Sequence, residues 1–484
     1  MLFPSTVFLF IFLPALLILY YAAPNRARNT ILLLASLLFY AWGETIYVAL
    51  MLASIAANYG LGLLISAGAG RARKRWLLIA IAANLASLAW FKYATFLAVN
   101  LNALFQPLGL PALPVLDVHL PLGVSFFTFQ AMSYVIDVYR GTFPAQHRID
   151  RVALYISLFP QLIAGPIVRY RDVAEQLSSR RHGSELFISG IRRFIFGLAK
   201  KMLLANTVGE VADSVFALPA SEVSTGLAWL GIFCYALQIY FDFSAYSDMA
   251  IGLGRMFGFR FLENFNYPYV ARSLTEFWRR WHISLSRWFR DYVYIPLGGN
   301  RRSRGRTYAN LCIVFLLCGF WHGASWNFIA WGAIHGAFLT VERAGLSPFL
   351  RRLPRVIQHL YTLLIVLFAW VYFRADTLEA ANTYVLAMLG LGSGVDTYAR
   401  LPFLLTPDVL MAALFGVLLS TPMYPALSAW WAKKWGPGAL RGDRDAPFLR
   451  LRMGLAGTGF AVLFLLGAAF VAAGTYNPFI YFRF

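Results

Sequence analysis

The chain opens MLFPSTVFLFIFLPALLILYYAAP, an apolar run of about the 20 residues that a membrane helix needs. It has no basic start and no small-residue cleavage site, so a first membrane helix is expected rather than a removed signal peptide. After PNRARN a second run reaches about Trp42, WGET interrupts, and a third reaches about Ile65 before GAGRARKRW. Long apolar runs and short polar breaks alternate in this way to the end of the sequence. The pattern predicts an all-α, polytopic membrane protein of about ten to thirteen helices. With no internal repeat and no low-complexity linker, one domain over 1–484 is expected, its core at about 225–345.

The polar breaks carry a sign. Arg26 and Arg28, then Arg71, Arg73, Lys74 and Arg75, fall in alternate breaks, while Glu44 sits in the break between them. Because basic loops stay in the cytoplasm, the N-terminus and Glu44 are placed outside. The segment 100–118 has prolines, Asp117 and no base, and 209–223 has three acids and no base, so both are also placed outside. The basic stretches 140–151, 257–307, 349–355 and 432–452 are assigned to the cytoplasmic side, 257–307 as cytoplasmic or interfacial helices, and the terminal YNPFIYFRF to the outer side.

Composition agrees with that pattern. Hydrophobic residues make up 59% and charged residues 13%, against about 25% charged in a soluble domain. A soluble enzyme, a disordered chain and a secreted disulfide scaffold are excluded. The formal charge of +20 would suggest nucleic acid in a soluble protein. Here the bases sit in loops between apolar runs, which is a topology signal or an attraction for an anionic ligand, and no nucleic-acid partner is expected. Cys234, Cys312 and Cys318 all lie in apolar stretches, and Cys312 and Cys318 point away from each other on a helix.

Burying a polar group in hydrocarbon is costly enough to need a partner or a purpose, so the polar residues are the informative ones. In LFPQLIAGPIVRYRD (158–172), Pro160 and Pro166 flank Gly165. Either the helix simply ends there, or irregular backbone lines a cavity. In 234–254, Asp242 and Asp248 interrupt an apolar run. Asp242 reads as a structural ion pair with an arginine or as a group that orients a catalytic base. In 273–306, Trp278, Trp281, His282, Leu285, Trp288 and Tyr292 form one face at helical spacing, with Arg279, Arg280, Arg287 and Arg290 elsewhere. Glu276 with Arg280, and Arg287 with Asp291, are spaced to pair. Membrane docking explains most of that face, but a titratable His282 on its buried side does not fit docking alone.

The fourth segment, NLCIVFLLCGFWHGASWNFIAWGAIHGAFLTVERAG (310–345), is flanked by basic residues on both ends, so it must enter and return. A first leg at about 309–321 reaches only about 20 Å, which would leave the turn WHGASWN inside the bilayer with His322 at its apex. Burial disfavours a charged imidazole and leaves a neutral base. Gly323, Ser325 and Asn327 around the turn leave room and hydrogen bonds for a substrate. His335 lies nearer the cytoplasm, and His119, His147, His182 and His359 read as ordinary loop residues. No H-x-x-x-H, Cys/His cluster or G-x-S-x-G is present, so neither a metal nor a serine nucleophile is expected.

TEFWRRWHISLSRWFRDYVYIPLGG, followed by GFWHGASWNFIAWGAIHG, resembles the membrane-bound O-acyltransferase family. YFDFSAYSDMAIGLG and LIAGPIVRYRD are similar to the family's supporting motifs. The resemblance implies catalytic positions at His322 and His282, and a cytoplasmic funnel nearly meeting an outer cavity. It implies a thioester donor, acetyl-CoA, on the cytoplasmic side, with no resident cofactor. It further implies an inner-membrane location and periplasmic O-acetyltransferase partners, with an exported polysaccharide, alginate first, as the final acceptor. His322 then serves as base, and His282 holds the thioester carbonyl, orients the acceptor or assists the proton. Trp281 and Trp321 would exclude water. Asp242 and Asn327 would support the site, and Arg279, Arg280, Arg287 and Arg290 would attract the donor's phosphates. The alternatives are cellulose or another exopolysaccharide, teichoic acid D-alanylation, and a transporter that uses the broken helices without chemistry.

Overall fold

Where no water can satisfy a backbone N–H or C=O, each apolar run closes its hydrogen bonds on itself as a helix. The computed structural model describes residues 1–392, 394–395, 401–435, 446–474 and 476–478, and among these the regular structure is helical. In order come α1 (Phe8–Ala22), α2 (Arg28–Ala41), α3 (Val48–Ala67), α4 (Gly70–Leu108), α5 (Val124–Arg140), α6 (Ile149–Ser157) and α7 (Phe159–Leu162). Then follow α8 (Tyr170–Ser178), α9 (Ser184–Ala199), α10 (Asn206–Phe216), α11 (Thr225–Met256), α12 (Leu274–Arg280) and α13 (Ile283–Phe289). The last are α14 (Arg304–His322), α15 (Trp326–Val341), α16 (Arg355–Arg374), α17 (Leu378–Met388), α18 (Pro407–Leu419), α19 (Met423–Trp435) and α20 (Ala446–Ala472). By length and composition, five helices among the described residues can cross a membrane: α3, α4, α11, α16 and the Gly454–Ala472 part of α20. The pair Pro407–Leu419 and Met423–Trp431, bent by 65°, makes a sixth if counted as one span.

α11 is the central post, with 78% of its apolar window buried inside the protein. Its two carboxylates are neutralised from α9 and the segment that joins it to α10. Asp242 pairs with Lys201 at 2.8 Å, and Asp248 pairs with Lys200 at 2.9 Å and Arg193 at 2.6 Å. α17, too short to span, packs on the same post, where the Tyr384 hydroxyl donates to the Ala228 carbonyl at 2.9 Å.

The breaks sort into two ends. At one end the Tyr20 hydroxyl donates to the Phe257 carbonyl at 3.0 Å, Arg180 reaches Asn29 at 2.7 Å, and Arg140 reaches the Asp291 carbonyl at 3.0 Å. At the other, His119 meets Glu44 at 3.2 Å, Trp326 donates to Asn100 at 2.9 Å, and Arg374 pairs with Asp213 at 2.6 Å. Residues 436–445 of the basic 432–452 stretch, and 479–484 of the terminal one, lie outside the described residues.

Two expectations are corrected. α14 has 19 residues and rises about 28 Å, longer than the leg expected from 309. Ser303 caps it by accepting the Arg306 N–H at 3.3 Å, so the arginines belong to the helix. The aromatic face of 273–292 is likewise not one helix, because α12 stops at Arg280 and α13 restarts at Ile283. Between them His282 adopts φ 42° and ψ 56°, a left-handed conformation uncommon outside glycine. The Asn264–Asn266 segment holds the break open. Asn266 N–H donates to the Arg280 carbonyl, and Ile283 N–H to the Asn264 carbonyl, both at 2.9 Å. In 158–172 the irregular-backbone alternative is the one observed. Leu158 leaves the helix, α7 is a single turn, and 163–168 is non-helical yet buried.

Candidate active site

α14 and α15 form a tight hairpin in which only glycine fits at the closest approach. A Cβ on Gly319 would lie 3.2 Å from the Gly332 Cα, and one on Gly332 3.3 Å from the Gly319 Cα. His322 is the last residue of α14, where the final carbonyls of a helix lack partners. Those carbonyls are met from α4, at the π-turn Ala89–Tyr93. The Tyr93 hydroxyl donates to Phe320 O at 2.7 Å, and Lys92 Nζ donates to Trp321 O at 2.6 Å and His322 O at 2.9 Å.

His322 is 7% exposed. It meets Trp321, Trp331 and Phe373 edge-to-face, at centroid distances of 4.9, 5.1 and 5.1 Å. Beside it is a cavity of about 110 Å³ whose lining includes Lys92, Ser125, Phe126, Ile163, Trp321 and His322. Its far wall is the 120–124 segment, which Gly123 at φ +74° allows to approach α7; a Cβ there would lie 2.7 Å from the Leu162 carbonyl oxygen.

Two further buried histidines flank this one. The Asn264 Oδ1 accepts the Ser284 backbone N–H at 3.2 Å and hydroxyl at 2.9 Å, so that atom must be the amide oxygen. His282 Nδ1, 3.1 Å from the same oxygen, therefore carries the proton, and Nε2 keeps its lone pair. On the other flank, Trp278 Nε1 donates to His335 Nδ1 at 3.2 Å. An indole only donates, so neutral His335 carries its proton on Nε2. Both Nε2 atoms are buried without a hydrogen-bond partner among the described residues. His282, Trp321, His322, Trp331 and His335 thus form a row in which each ring contacts the next, at 6.4, 4.9, 5.1 and 4.9 Å.

The sequence matches the membrane-bound O-acyltransferase family model over residues 148–378. It is 48% identical over 394 residues to the probable alginate O-acetylase of Azotobacter vinelandii, covering 81% of this chain and 79% of that protein. The chain belongs to the membrane-bound O-acyltransferase family. It is also 38% identical over 428 residues to the peptidoglycan O-acetyltransferase of Helicobacter pylori, covering 81% of this chain and 80% of that protein. Similarity to the teichoic acid D-alanyltransferase of Bacillus subtilis is 29% over 230 residues, 45% of this chain and 58% of that protein. The protein is an O-acyltransferase of the membrane.

Within this acyltransferase, Trp321 stands between the two expected histidines and stacks on Phe129 at 5.2 Å. Trp281 belongs to a neighbouring aromatic cluster, 5.0 Å from Trp370 and 5.6 Å from Phe277. Asp242 is committed to Lys201, a lysine and not the arginine expected, and Asn327 donates to the Ala375 carbonyl at 2.6 Å. Arg280 pairs with Glu276 at 2.8 Å, as the spacing predicts. Asp291, expected opposite Arg287, is instead engaged by Arg290 at 2.7 Å, Arg169 at 2.6 Å and Arg171. Arg279 is exposed and Arg287 half-buried. Lys92, Asn264 and Ser284 escape the sequence reading, and His335, expected nearer the cytoplasm, also belongs to the row.

Proposed function

We propose that this O-acyltransferase moves an acetyl group from a cytoplasmic thioester, acetyl-CoA, to an acceptor on the outer side of the inner membrane, for O-acetylation of an alginate-type exported polysaccharide. The observation that carries this reading is the position of His322, whose ring lines the cavity at the end of α14 and also lies in the histidine–tryptophan row. An alcohol is a weak nucleophile at neutral pH, and a neutral imidazole within reach takes its proton as it attacks. His322 is that base. His282 presents a lone pair at Nε2, so as a neutral ring it accepts a hydrogen bond. That suits orienting the acceptor hydroxyl or assisting its proton, and disfavours holding the thioester carbonyl. Indoles on either side of His322 keep out the water that would hydrolyse the donor.

The alginate-type acceptor is supported by identity to the Azotobacter protein, and the outer-side exit by Glu44, which accepts the backbone N–H of the cavity-lining Leu122 at 3.0 Å. Periplasmic partner proteins, relaying the acetyl group onward, fit the same reading. The 38% identity to the Helicobacter enzyme favours peptidoglycan as the second reading. The test is acetyl content of the extracellular polymer and of the cell wall in cells whose only copy is wild type or His322→Ala. The expected result is loss of polymer acetylation by about 100- to 10,000-fold with an unchanged amount of protein in the membrane. Acetylation that survives the substitution would favour a transporter, and loss confined to the cell wall would favour peptidoglycan.

A further inference from the structure

Buried cations among the described residues come with carboxylates: Arg169 with Asp172 and Asp291, Lys200 with Asp248, Lys201 with Asp242, and Arg374 with Asp213. Half-buried Lys92 has no such pairing. It stands within a membrane-crossing helix, and no carboxylate among the described residues pairs with it. Its two hydrogen bonds go to the carbonyls of Trp321 and His322, and its charge faces the negative end of the α14 dipole. Capping accounts for two of the three ammonium protons. The third is left for the face of the Trp321 ring, 5.8 Å from the ammonium, and for the cavity that Lys92 lines together with His322. Holding a full charge there is costly unless it meets a negative charge at some stage.

Acyl transfer creates such a charge. We propose that the Lys92 ammonium is the electrostatic stabiliser of the oxyanion formed during transfer, an inference that rests on the reading of His322 as base. The acceptor hydroxyl oxygen bonds to the acyl carbonyl carbon, and its proton passes to His322. The carbonyl π pair moves onto oxygen, beside Lys92. When that pair re-forms the double bond, the carbon–sulfur bond breaks, and the sulfur takes the bonding electrons and the proton from His322. Lys92 gives up no proton and is unchanged at the end. Its cap on α14 serves to hold the ammonium and the imidazole at a fixed separation before the charge appears.

Capping and charge are separable by substitution. Lys92→Gln keeps N–H donors for the two carbonyls but removes the charge, Lys92→Met removes both, and Lys92→Arg keeps both. Each is expressed as the only copy beside wild type and His322→Ala. The initial rate of polymer acetylation is measured per unit of membrane-inserted protein, with the thermal midpoint of the purified protein alongside. The proposal expects Gln and Met to lose about 100- to 1,000-fold in rate, Arg to recover part of it, and Gln to keep a near wild-type midpoint. Wild-type rate in Lys92→Gln with loss only in Lys92→Met would reduce Lys92 to a cap and overturn the proposal. So would losses that simply follow the midpoints. If His322→Ala itself stays active, the base assignment fails; if only the Gln variant stays active, the base stands and Lys92 does not.

Discussion

Two buried polar regions of this protein sit in similarly apolar surroundings and are built on opposite principles. Around α11, Asp242 and Asp248 are matched by Lys201, Lys200 and Arg193 within 2.9 Å, charge against charge. In the histidine row, His282 and His335 each use one ring nitrogen on the protein and leave the other without a partner among the described residues, and Lys92 beside the cavity is met by two carbonyls and the Trp321 ring but by no carboxylate among the described residues. Leaving a buried polar atom unmet costs about 1–3 kcal/mol, which a fold with a paired alternative has no reason to accept unless a substrate supplies the missing partner. Buried atoms without a partner among the described residues also occur on Gln130, Gln238 and Ser244, so the contrast lies in the charges, which are paired around α11, and in the row, whose His322 borders the cavity.

The contrast can be broken by substitution. The row should tolerate truncation structurally and fail catalytically: His322→Ala should retain the wild-type thermal midpoint in detergent while losing about 100- to 10,000-fold in acetyl transfer. The ion pairs should do the reverse. Asp242→Asn leaves Lys201 buried without its counter-charge and should destabilise by about 3–5 kcal/mol, read as a lowered midpoint and less protein in the membrane, with activity per folded molecule unchanged. Replacing both partners by leucine should recover most of that stability. A smaller effect is expected at Asn264, which touches the site only through His282. Asn264→Ala frees the ring to change tautomer and should slow transfer about 10- to 100-fold, while Asn264→Asp, still an acceptor for Nδ1–H, should do better. The smallest concerns the exposed Arg279 and the half-buried Arg287. Alanine at either should raise the acetyl-CoA KM only a few-fold, and the difference should fade as salt rises.

The helical fold and two of the three row histidines were legible because a polar residue in an apolar run stands out locally. What escaped depends on partners distant in sequence. His335 is claimed by Trp278, 57 residues away, and His282 is oriented by Asn264, 18 residues away in a loop without regular structure. Lys92 stands beside Tyr93 in a Trp-Phe-Lys-Tyr run, which reads like an interfacial anchor. Only the end of α14, 229 residues further on, shows what it does. The short leg was misjudged because the arginines at 304 and 306 look like loop, whereas Ser303 caps them into the helix. The Trp278–Tyr292 face was read as continuous because spacing cannot reveal a single left-handed residue held by backbone hydrogen bonds from a distant segment.

The central claim is that the His322 imidazole stands where a donor from one side meets an acceptor from the other. It is tested most directly with the protein in sealed vesicles, acetyl-labelled CoA supplied to the face bearing Arg28 and Arg73, and oligomannuronate with any periplasmic partner supplied to the opposite face. The account predicts labelled acetyl ester on the opposite side with wild type and none above background with His322→Ala. Equal label across the membrane with both proteins would contradict it.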